Sequence, residues 1–323
     1  MQYLFQTPIP LPWFFADLLT VLLSLVVVLF AVRRSLHPAM VLLECFAFVF
    51  LYAGLFENFA VVQGWYVYGR SLLMFGNVPL SVPLLEMDVF ITGLWLLERM
   101  DVPGWCKPLI LGLFGMLQDF SLDPLAVRQV YTAGGVTSGR WTWLISPGMA
   151  NIYRIPVYNF PGWMLIMLYG SIYILLGRKI FQRSGFKSWV GYAYPFLAMV
   201  LALITMVTPL SQFLLWLAPF GAKGSIAEWI MLAFFLALPT ILLLFVWRGK
   251  MNHAVVLSVD WPLFAVPVVF HIADCFWAIT GGFHGVLWLI LLSSILHLGL
   301  LLWIFLQGRK PGTRQPEFIP YSP

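Results

Sequence analysis

Long apolar segments recur along this chain, and they constrain its fold more than any other feature. A helix that crosses a hydrocarbon core of about 30 Å needs about 20 predominantly apolar residues. Segments of this kind lie at residues 13–32, 38–59, 80–98, 105–123, 160–181, 189–208, 226–247, 261–280 and 285–306. Because helices satisfy their own backbone hydrogen bonds in lipid, the pattern predicts an all-α, polytopic transmembrane bundle of about 8–9 helices.

The composition agrees with a membrane protein and argues against a nucleic-acid-binding one. Hydrophobic residues make up 61% of the 323 residues and charged residues only 10%, whereas about a quarter of a soluble chain is charged. The net charge of +5 is divided among short clusters that follow the apolar segments, and no basic stripe is present. We therefore expect a lipid bilayer, and no nucleic acid, as the partner of this surface.

The distribution of basic residues predicts the orientation of the helices. With the N-terminus outside, thirteen of the 18 Lys and Arg residues lie on the inner side. The inner set is Arg33, Arg34, Arg99, Lys107, Arg178, Lys179, Arg183, Lys187, Arg248, Lys250, Arg309, Lys310 and Arg314, and the outer set is Arg70, Arg128, Arg140, Arg154 and Lys223. The positive-inside rule then favours an outer N-terminus and a cytoplasmic C-terminus.

One transmembrane domain is expected over residues 1–306, followed by a disordered cytoplasmic tail at residues 307–323. Residues 13–32 are interpreted as a retained span, because no positive charge precedes them and no small-residue cleavage site follows. The outer segments 60–79 and 124–159 are too long for simple turns and are rich in Gly, Tyr and Trp. Long connections often carry function, so we predict that they cap the outer end of the bundle.

Acidic residues collect near the outer ends of consecutive spans. Glu57, Glu86, Asp88, Asp119 and Asp123 lie in spans two to four, and Asp17, Glu228 and Asp274 lie in or near the outer halves of other spans. An ionisable side chain within a span costs about 2.5–3.5 kcal/mol on insertion scales, so several together require a reason. Asp119 and Asp123 are four residues apart and share one helix face. The pattern predicts a shared pocket in which one carboxyl keeps its proton and acts as a general acid.

Aromatic residues crowd the same outer region. They are Trp65, Tyr66, Tyr68, Trp141, Trp143, Tyr153, Tyr158 and Trp163. Their π faces could line an apolar slot and stabilise a passing positive charge, although an interfacial belt of Trp and Tyr is the alternative. The alternative for the acids is ion pairing with Arg70, Arg128, Arg140 or Arg154, which would pin the outer loops.

Short sequence motifs of several common enzyme classes are missing. No GxSxG, Walker, GxGxxG or CxxC pattern is present. His271, His284 and His297 are spaced 13 residues apart and form no HxxxH cluster, so a di-iron site is not expected. Haem ligation by His271 with His297 stays an alternative, and the site is otherwise expected to use no metal and no cofactor.

Four blocks in order, between residues 50 and 170, resemble a known family. They are LFENFAVVQGWYVYG (55–69), FGNVPLSVPL (75–84), LQDFSLDPLAV (117–127), and WTW (141–143) with YRIPVYNFPGW (153–163). They resemble the integral-membrane carotenoid-biosynthesis proteins of bacteria and archaea, whose members include acyclic carotenoid hydratases and the bisanhydrobacterioruberin hydratase. The chain departs from the pattern at Asn77 and Arg154, where glycines are expected, and in a longer turn between Asp123 and Trp141.

The resemblance implies a hydro-lyase of a bacterial or archaeal cytoplasmic membrane that adds water across the terminal C=C of an acyclic carotenoid. In this hypothesis Asp123 donates the proton, Asp119 holds the shared proton beside it, and Glu57 is the base that orients the water. The predicted substrate-binding residues are Glu86, Asp88, Trp65, Tyr66, Tyr68, Trp141, Trp143, Tyr153, Tyr158, Asn159 and Trp163, with Asn159 as a water ligand.

Other functions remain open on the sequence. The acids could serve a proton relay in a transporter, although no repeated halves are visible. The chain could also be a non-catalytic carrier of carotenoid or lipid, or an isomerase of the same fold that acts on another isoprenoid.

Overall fold

The computed structural model describes residues 9–100, 102–133, 136–208, 211, 226–246 and 257–306. Within these ranges each predicted span is helical. The helices are α1 (Leu11–Arg34), α2 (Pro38–Ala47), α3 (Gly54–Val62), α4 (Ser81–Glu98), α5 (Lys107–Ala126), α6 (Asn159–Arg183), α7 (Ser188–Met206), α8 (Ile226–Ile241), α9 (Leu257–Asp260), α10 (Pro262–Thr280) and α11 (His284–Leu306). The π-helical stretch Phe48–Ala53 joins α2 to α3, and a second, Leu242–Val246, follows α8.

Some predicted features lie outside the described residues. They are the tail at residues 307–323, the last residue of the span 226–247, and the basic residues Lys223, Arg248, Lys250, Arg309, Lys310 and Arg314.

Eight candidate membrane spans occur among the described residues, with α2 and α3 counted as one continuous span. The remaining long helix, α4, corresponds to the predicted span 80–98. Three acids, Glu86, Asp88 and Glu98, interrupt its 18 residues. Its residues 86–97 are all buried, and it packs against α1, α5, α10 and the first π-helical stretch. Protein therefore surrounds these acids in place of lipid, which is how membrane proteins accommodate ionisable groups. The prediction of an integral-membrane helix bundle is confirmed.

Helix α1 illustrates how the apolar sequence is divided between core and lipid. Leu23, Val27 and Ala31 are buried at intervals of four residues. Leu22 and Leu25, on other faces of the same helix, are about half exposed, at 52% and 55%. Both faces of α1 are apolar because this helix packs against protein on one side and faces hydrocarbon on the other.

One end of the bundle is held by buried arginines, and we call it the arginine end. Arg178 on α6 donates to both oxygens of Glu44 on α2, at 2.8 and 2.5 Å, and to Glu98 on α4 at 2.6 Å. Tyr194 on α7 donates to Glu44 at 2.5 Å, so four helices meet at one ion cluster. At the same end Asp260 accepts from both Arg34 and Arg99. Basic residues predicted to share one side of the membrane therefore share one end of the fold.

The opposite end, which we call the cap end, is formed by residues 63–80, 127–133 and 136–158. Strand β1 (Tyr66–Tyr68) pairs with β6 (Trp141–Trp143), antiparallel, with Tyr66 opposite Trp143 and Tyr68 opposite Trp141. The other strands form the local hairpins β2 (Met74–Phe75) with β3 (Val78–Pro79), β4 (Val130–Ala133) with β5 (Val136–Gly139), and β7 (Asn151–Ile152) with β8 (Ile155–Pro156). The two long predicted outer segments are thus one structure, joined by the β1–β6 pair.

Asp17 on α1 fastens the cap to the bundle. Its carboxylate accepts hydrogen bonds of 2.7 Å from Ser71 and Ser81 and lies 3.3 Å from the guanidinium of Arg140. For Asp17, the interpretation that an arginine pins an outer loop to an acid is therefore correct.

The ion cluster at the arginine end predicts a large loss of stability when its cation is removed. Arg178→Ala should lower the free energy of unfolding by about 3–5 kcal/mol, because Glu44 would remain buried without its counter-charge. The measurement is an SDS-unfolding titration in detergent micelles. Arg183→Ala, five residues further along α6 and exposed, is the matched control and should change the value by less than about 0.5 kcal/mol. Equal effects of the two substitutions would contradict this account.

Candidate functional site

Four buried carboxyl groups from three spans converge beneath the cap, and we call them the acidic cluster. They belong to Glu57 on α3, Glu86 on α4, and Asp119 and Asp123 on α5, with exposed fractions of 3% for Glu57 and 0% for the others. All four lie close enough for their charges to interact. The salt bridges among the described residues involve none of them. The alternative of individual arginine clamps therefore does not apply to this cluster.

A single amide group holds the two aspartates together. Nδ2 of Asn159 donates to Oδ2 of Asp119 and to Oδ2 of Asp123, at 2.7 Å each. The other oxygen of each aspartate is buried and has no hydrogen-bond donor among the described residues. The two side chains face the same way because they are one helical turn apart, and both Oδ2 atoms lie 2.7 Å from the same amide nitrogen.

Close packing of α5 on α6 brings Asn159, the first residue of α6, onto this pair. Gly112 and Gly115 on α5 lie against Met164 and Met167 on α6, and a Cβ at either glycine would be 2.6 Å from the methionine side chain. Small residues of this kind let transmembrane helices approach closely.

Glu57 is held by two tyrosines of β1. The hydroxyls of Tyr66 and Tyr68 donate to its Oε2 at 2.7 and 2.5 Å. Burial, together with the nearby Glu57 carboxyl, holds the pKa of both phenols well above the usual range, so both remain hydrogen-bond donors at neutral pH. Glu86 lies close enough to Glu57 for their charges to interact, and neither Glu86 oxygen has a hydrogen-bond partner among the described residues.

The β1–β6 pair places an aromatic wall against the acids. The Tyr66 ring is 4.5 Å from Trp143 and 5.3 Å from Trp141, and the Tyr68 ring is 5.2 Å from Trp141. Tyr158 meets Trp143 edge-on at 6.1 Å. This wall explains why segments distant in sequence are both rich in aromatic residues.

Two cavities border the acidic cluster. The larger, about 90 Å³, lies among α1, α4, α5 and α10 and is mostly apolar, with Asp123, Tyr68, Trp141, Trp163 and Asp274 on its wall. The smaller, about 30 Å³, is bordered by Glu57, Trp65, Tyr66, Trp143, Tyr158, Asn159 and Trp163. Asp123 thus faces the apolar space, and Glu57 faces the smaller cavity.

Two of the predicted site residues lie elsewhere. Asp88 accepts a hydrogen bond of 2.8 Å from Ser24 on α1. It follows Glu86 by two residues, and that spacing places it on another face of α4. Tyr153 is half-buried and donates to the backbone oxygen of Gly285 at 2.5 Å. All the other predicted site residues belong to the acidic cluster or border a cavity.

One acid on the larger cavity was left out of the predicted site. Asp274 on α10 is buried, and its Oδ2 accepts a hydrogen bond of 2.8 Å from Ser121 on α5. The sequence signal was present, because a lone aspartate in an apolar span is costly. What was missing was the packing of α10 against α5.

The alternative of haem ligation does not fit the histidine geometry. His271 Nε2 and His297 Nδ1 are 3.0 Å apart and hydrogen-bonded, whereas an ion between two imidazoles needs about 2 Å on each side. Among the described residues, no three His, Cys, Asp or Glu side chains are arranged to hold a metal ion.

The amide bridge predicts a stability loss at the site itself. Asn159→Leu should lower the free energy of unfolding by about 1–3 kcal/mol, because two buried carboxyl oxygens would lose their donor. The SDS-unfolding titration measures it, with Asn151→Ala in the exposed β7 strand as the control. A leucine variant as stable as the parent protein would argue against the bridge.

Comparisons with known proteins identify no relative: no family model, no curated protein and no solved structure matches this chain. The chain is an integral membrane protein with eight candidate spans among its described residues.

Proposed function

We propose that this protein is a hydratase that adds water to the terminal C=C of an acyclic carotenoid, with a carboxylic acid as the proton donor. The observation that carries the proposal is the Asn159 amide bridging Asp119 and Asp123 beside an apolar cavity. An alkene has no polar group to bind, so its hydration needs an acid held in a dry, apolar space.

The acid at this site is Asp123, with Asp119 as its partner. The Oδ2 atoms of both aspartates accept from the same amide nitrogen, and two ionised carboxylates so close together repel strongly in a low dielectric. A shared proton is therefore the expected state of the pair. Of the two, Asp123 borders the larger cavity, which supports the assignment of Asp123 as donor and Asp119 as the group behind it.

The aromatic wall suits the intermediate of this reaction. Protonation of a trisubstituted alkene produces a tertiary carbocation, and aromatic faces attract cations. Tyr68, Trp141 and Trp163 border the cavity that Asp123 faces. In this proposal they stabilise the cation until water adds to it.

Glu57 would receive the proton that water releases when the C–O bond forms. Glu57 borders the smaller cavity, but Tyr68, whose hydroxyl it holds at 2.5 Å, borders the larger one. A proton can pass from water to the Tyr68 oxygen while the tyrosine hydroxyl proton moves to Glu57. Glu86 lies close to both Glu57 and Asp123. In this proposal it returns the proton from Glu57 to the donor, Asp123.

The choice of a carotenoid as substrate rests on the resemblance of the four sequence blocks. Each block supplies a residue of the site or its cavities: Glu57 and Tyr68 from the first, Ser81 from the second, Asp123 from the third, and Trp141, Asn159 and Trp163 from the fourth. The departure at Arg154 falls at φ 70°, a left-handed backbone position that favours glycine. A site assembled from all four blocks supports the idea that they act together.

A proton-relay function has one observation in its favour. Gln118, Ser121 and Asp274 are linked by hydrogen bonds, and Gln118 borders a small cavity with His297, the partner of His271. This polar line extends from the acidic cluster into the bundle, as in a transporter that moves protons. Proton uptake into liposomes that contain the protein, measured with a pH-sensitive dye, would favour this function.

Substitution of the donor tests the hydratase directly. Purified Asp123→Asn should lose at least about 100-fold in hydration rate, since general acids contribute about 10²–10⁴-fold, while the parent adds one water mass to an acyclic carotenoid. Mass spectrometry of extracted pigment measures both. Asp88→Asn, a buried aspartate outside the acidic cluster, should remain active. An Asp123→Asn protein that works at the parent rate would refute the assignment.

A further inference from the structure

The geometry points to Asp274 as the residue that holds the attacking water in the larger cavity, an inference that rests on the proposed hydratase function. Asp274 is on α10, in a part of the chain that no sequence block covers. In this proposal Asp274 is one of the residues that contact the reactants.

The first argument is position. Asp274 and Asp123 border the same cavity of about 90 Å³, and their charges are close enough to interact. Because Asp123 lies on α5 and Asp274 on α10, the two carboxyls reach this space from different helices. A reactant in the cavity would therefore share one space with a proton donor and a second acid, and such proximity favours reaction.

The second argument is hydrogen bonding. Ser121 donates to Oδ2 of Asp274 at 2.8 Å and fixes the carboxyl. The bond from Ser121 leaves the other oxygen of Asp274 for a second partner, and Oδ1 of Asp123 is buried and has no donor among the described residues. A buried water usually has two to four polar partners. Asp274, Asp123 and Tyr68 border this cavity together with Gln129 and Arg140, and a water there would find such partners among them.

The third argument separates Asp274 from Glu57. Glu57 borders the smaller cavity, on the other side of Trp163, which borders both. A water bound directly to Glu57 would lie in the smaller cavity, whereas Asp123 faces the larger one. Asp274 needs no intermediary, whereas Glu57 reaches this space through Tyr68.

The bonds and protons of the reaction then balance, and both new bonds to carbon form in the larger cavity. The alkene π electrons take the proton of Asp123 and form a C–H bond, which leaves a tertiary cation and an aspartate anion. The water oxygen, oriented by a hydrogen bond to Asp274, gives an electron pair to the cation and forms the C–O bond. The proton it releases passes through Tyr68 to Glu57. Asp274 gains and loses nothing overall; it sets where the oxygen lies.

This role predicts that protonation and water capture can be separated. In D₂O, Asp274→Asn should make at least about tenfold less alcohol, because an amide holds the water less well. It should still exchange deuterium into the end group of recovered substrate, since Asp123 can protonate the alkene and the cation can lose a proton again. Mass spectrometry of alcohol and recovered alkene measures both, with an acyclic carotenoid as the probe.

Matched variants make each outcome decisive. Asp123→Asn should lose alcohol and exchange together, Asp88→Asn should keep both, and Ser121→Ala should show a smaller form of the Asp274→Asn pattern. Size-exclusion chromatography identifies variants that fail to fold. Parent-level alcohol formation by Asp274→Asn, or equal loss of alcohol and exchange in that folded variant, overturns the inference and leaves the hydratase standing. A parent protein that forms no alcohol and exchanges no deuterium overturns both.

Discussion

The hydrogen bonds from one amide group to two buried aspartates govern the architecture of this site. Asn159 holds Asp119 and Asp123 with two bonds of 2.7 Å, in a region where neither carboxyl meets an arginine. Water would weaken the interaction between the two acids, and lipid would not tolerate them. The close contact of α5 and α6, the enclosure of α4 and the aromatic cap all serve to keep these groups dry and adjacent.

The two ends of the bundle use ionisable residues in opposite ways. At the arginine end, Glu44 and Asp260 are each neutralised by guanidinium groups, which fixes the helices but leaves no reactive group. At the cap end, the acidic cluster has tyrosines and an amide as partners, and none of these carries a compensating charge. The buried acids of the arginine end are therefore compensated in charge, whereas those of the acidic cluster are not.

The sequence was informative wherever a pattern is local. Apolar length located every span to within a few residues, and the four-residue spacing of Asp119 and Asp123 placed both on one helix face. It was less informative where a residue's neighbour comes from a distant segment. Asp88 was grouped with Glu86 because the two are only two residues apart in the same span. Their side chains face different helices, because Asp88 accepts from Ser24 on α1 and Glu86 lies near Glu57 and Asp123. Asp274 was left out of the site because the sequence does not show the packing of α10 against α5 that brings it to the cavity.

By itself, the sequence determined that this chain is an integral-membrane helix bundle and indicated that one group of acidic and aromatic residues lies near one end of it. Hydrophobic length and the cost of charge in lipid are properties of single segments, so they can be read along the chain. Only the tertiary structure decided which acids share a pocket, which are pinned by arginine, and which face the cavity. Those outcomes depend on helix rotation and on packing between segments far apart in sequence, as between α5 and α10, and single-segment patterns do not specify them.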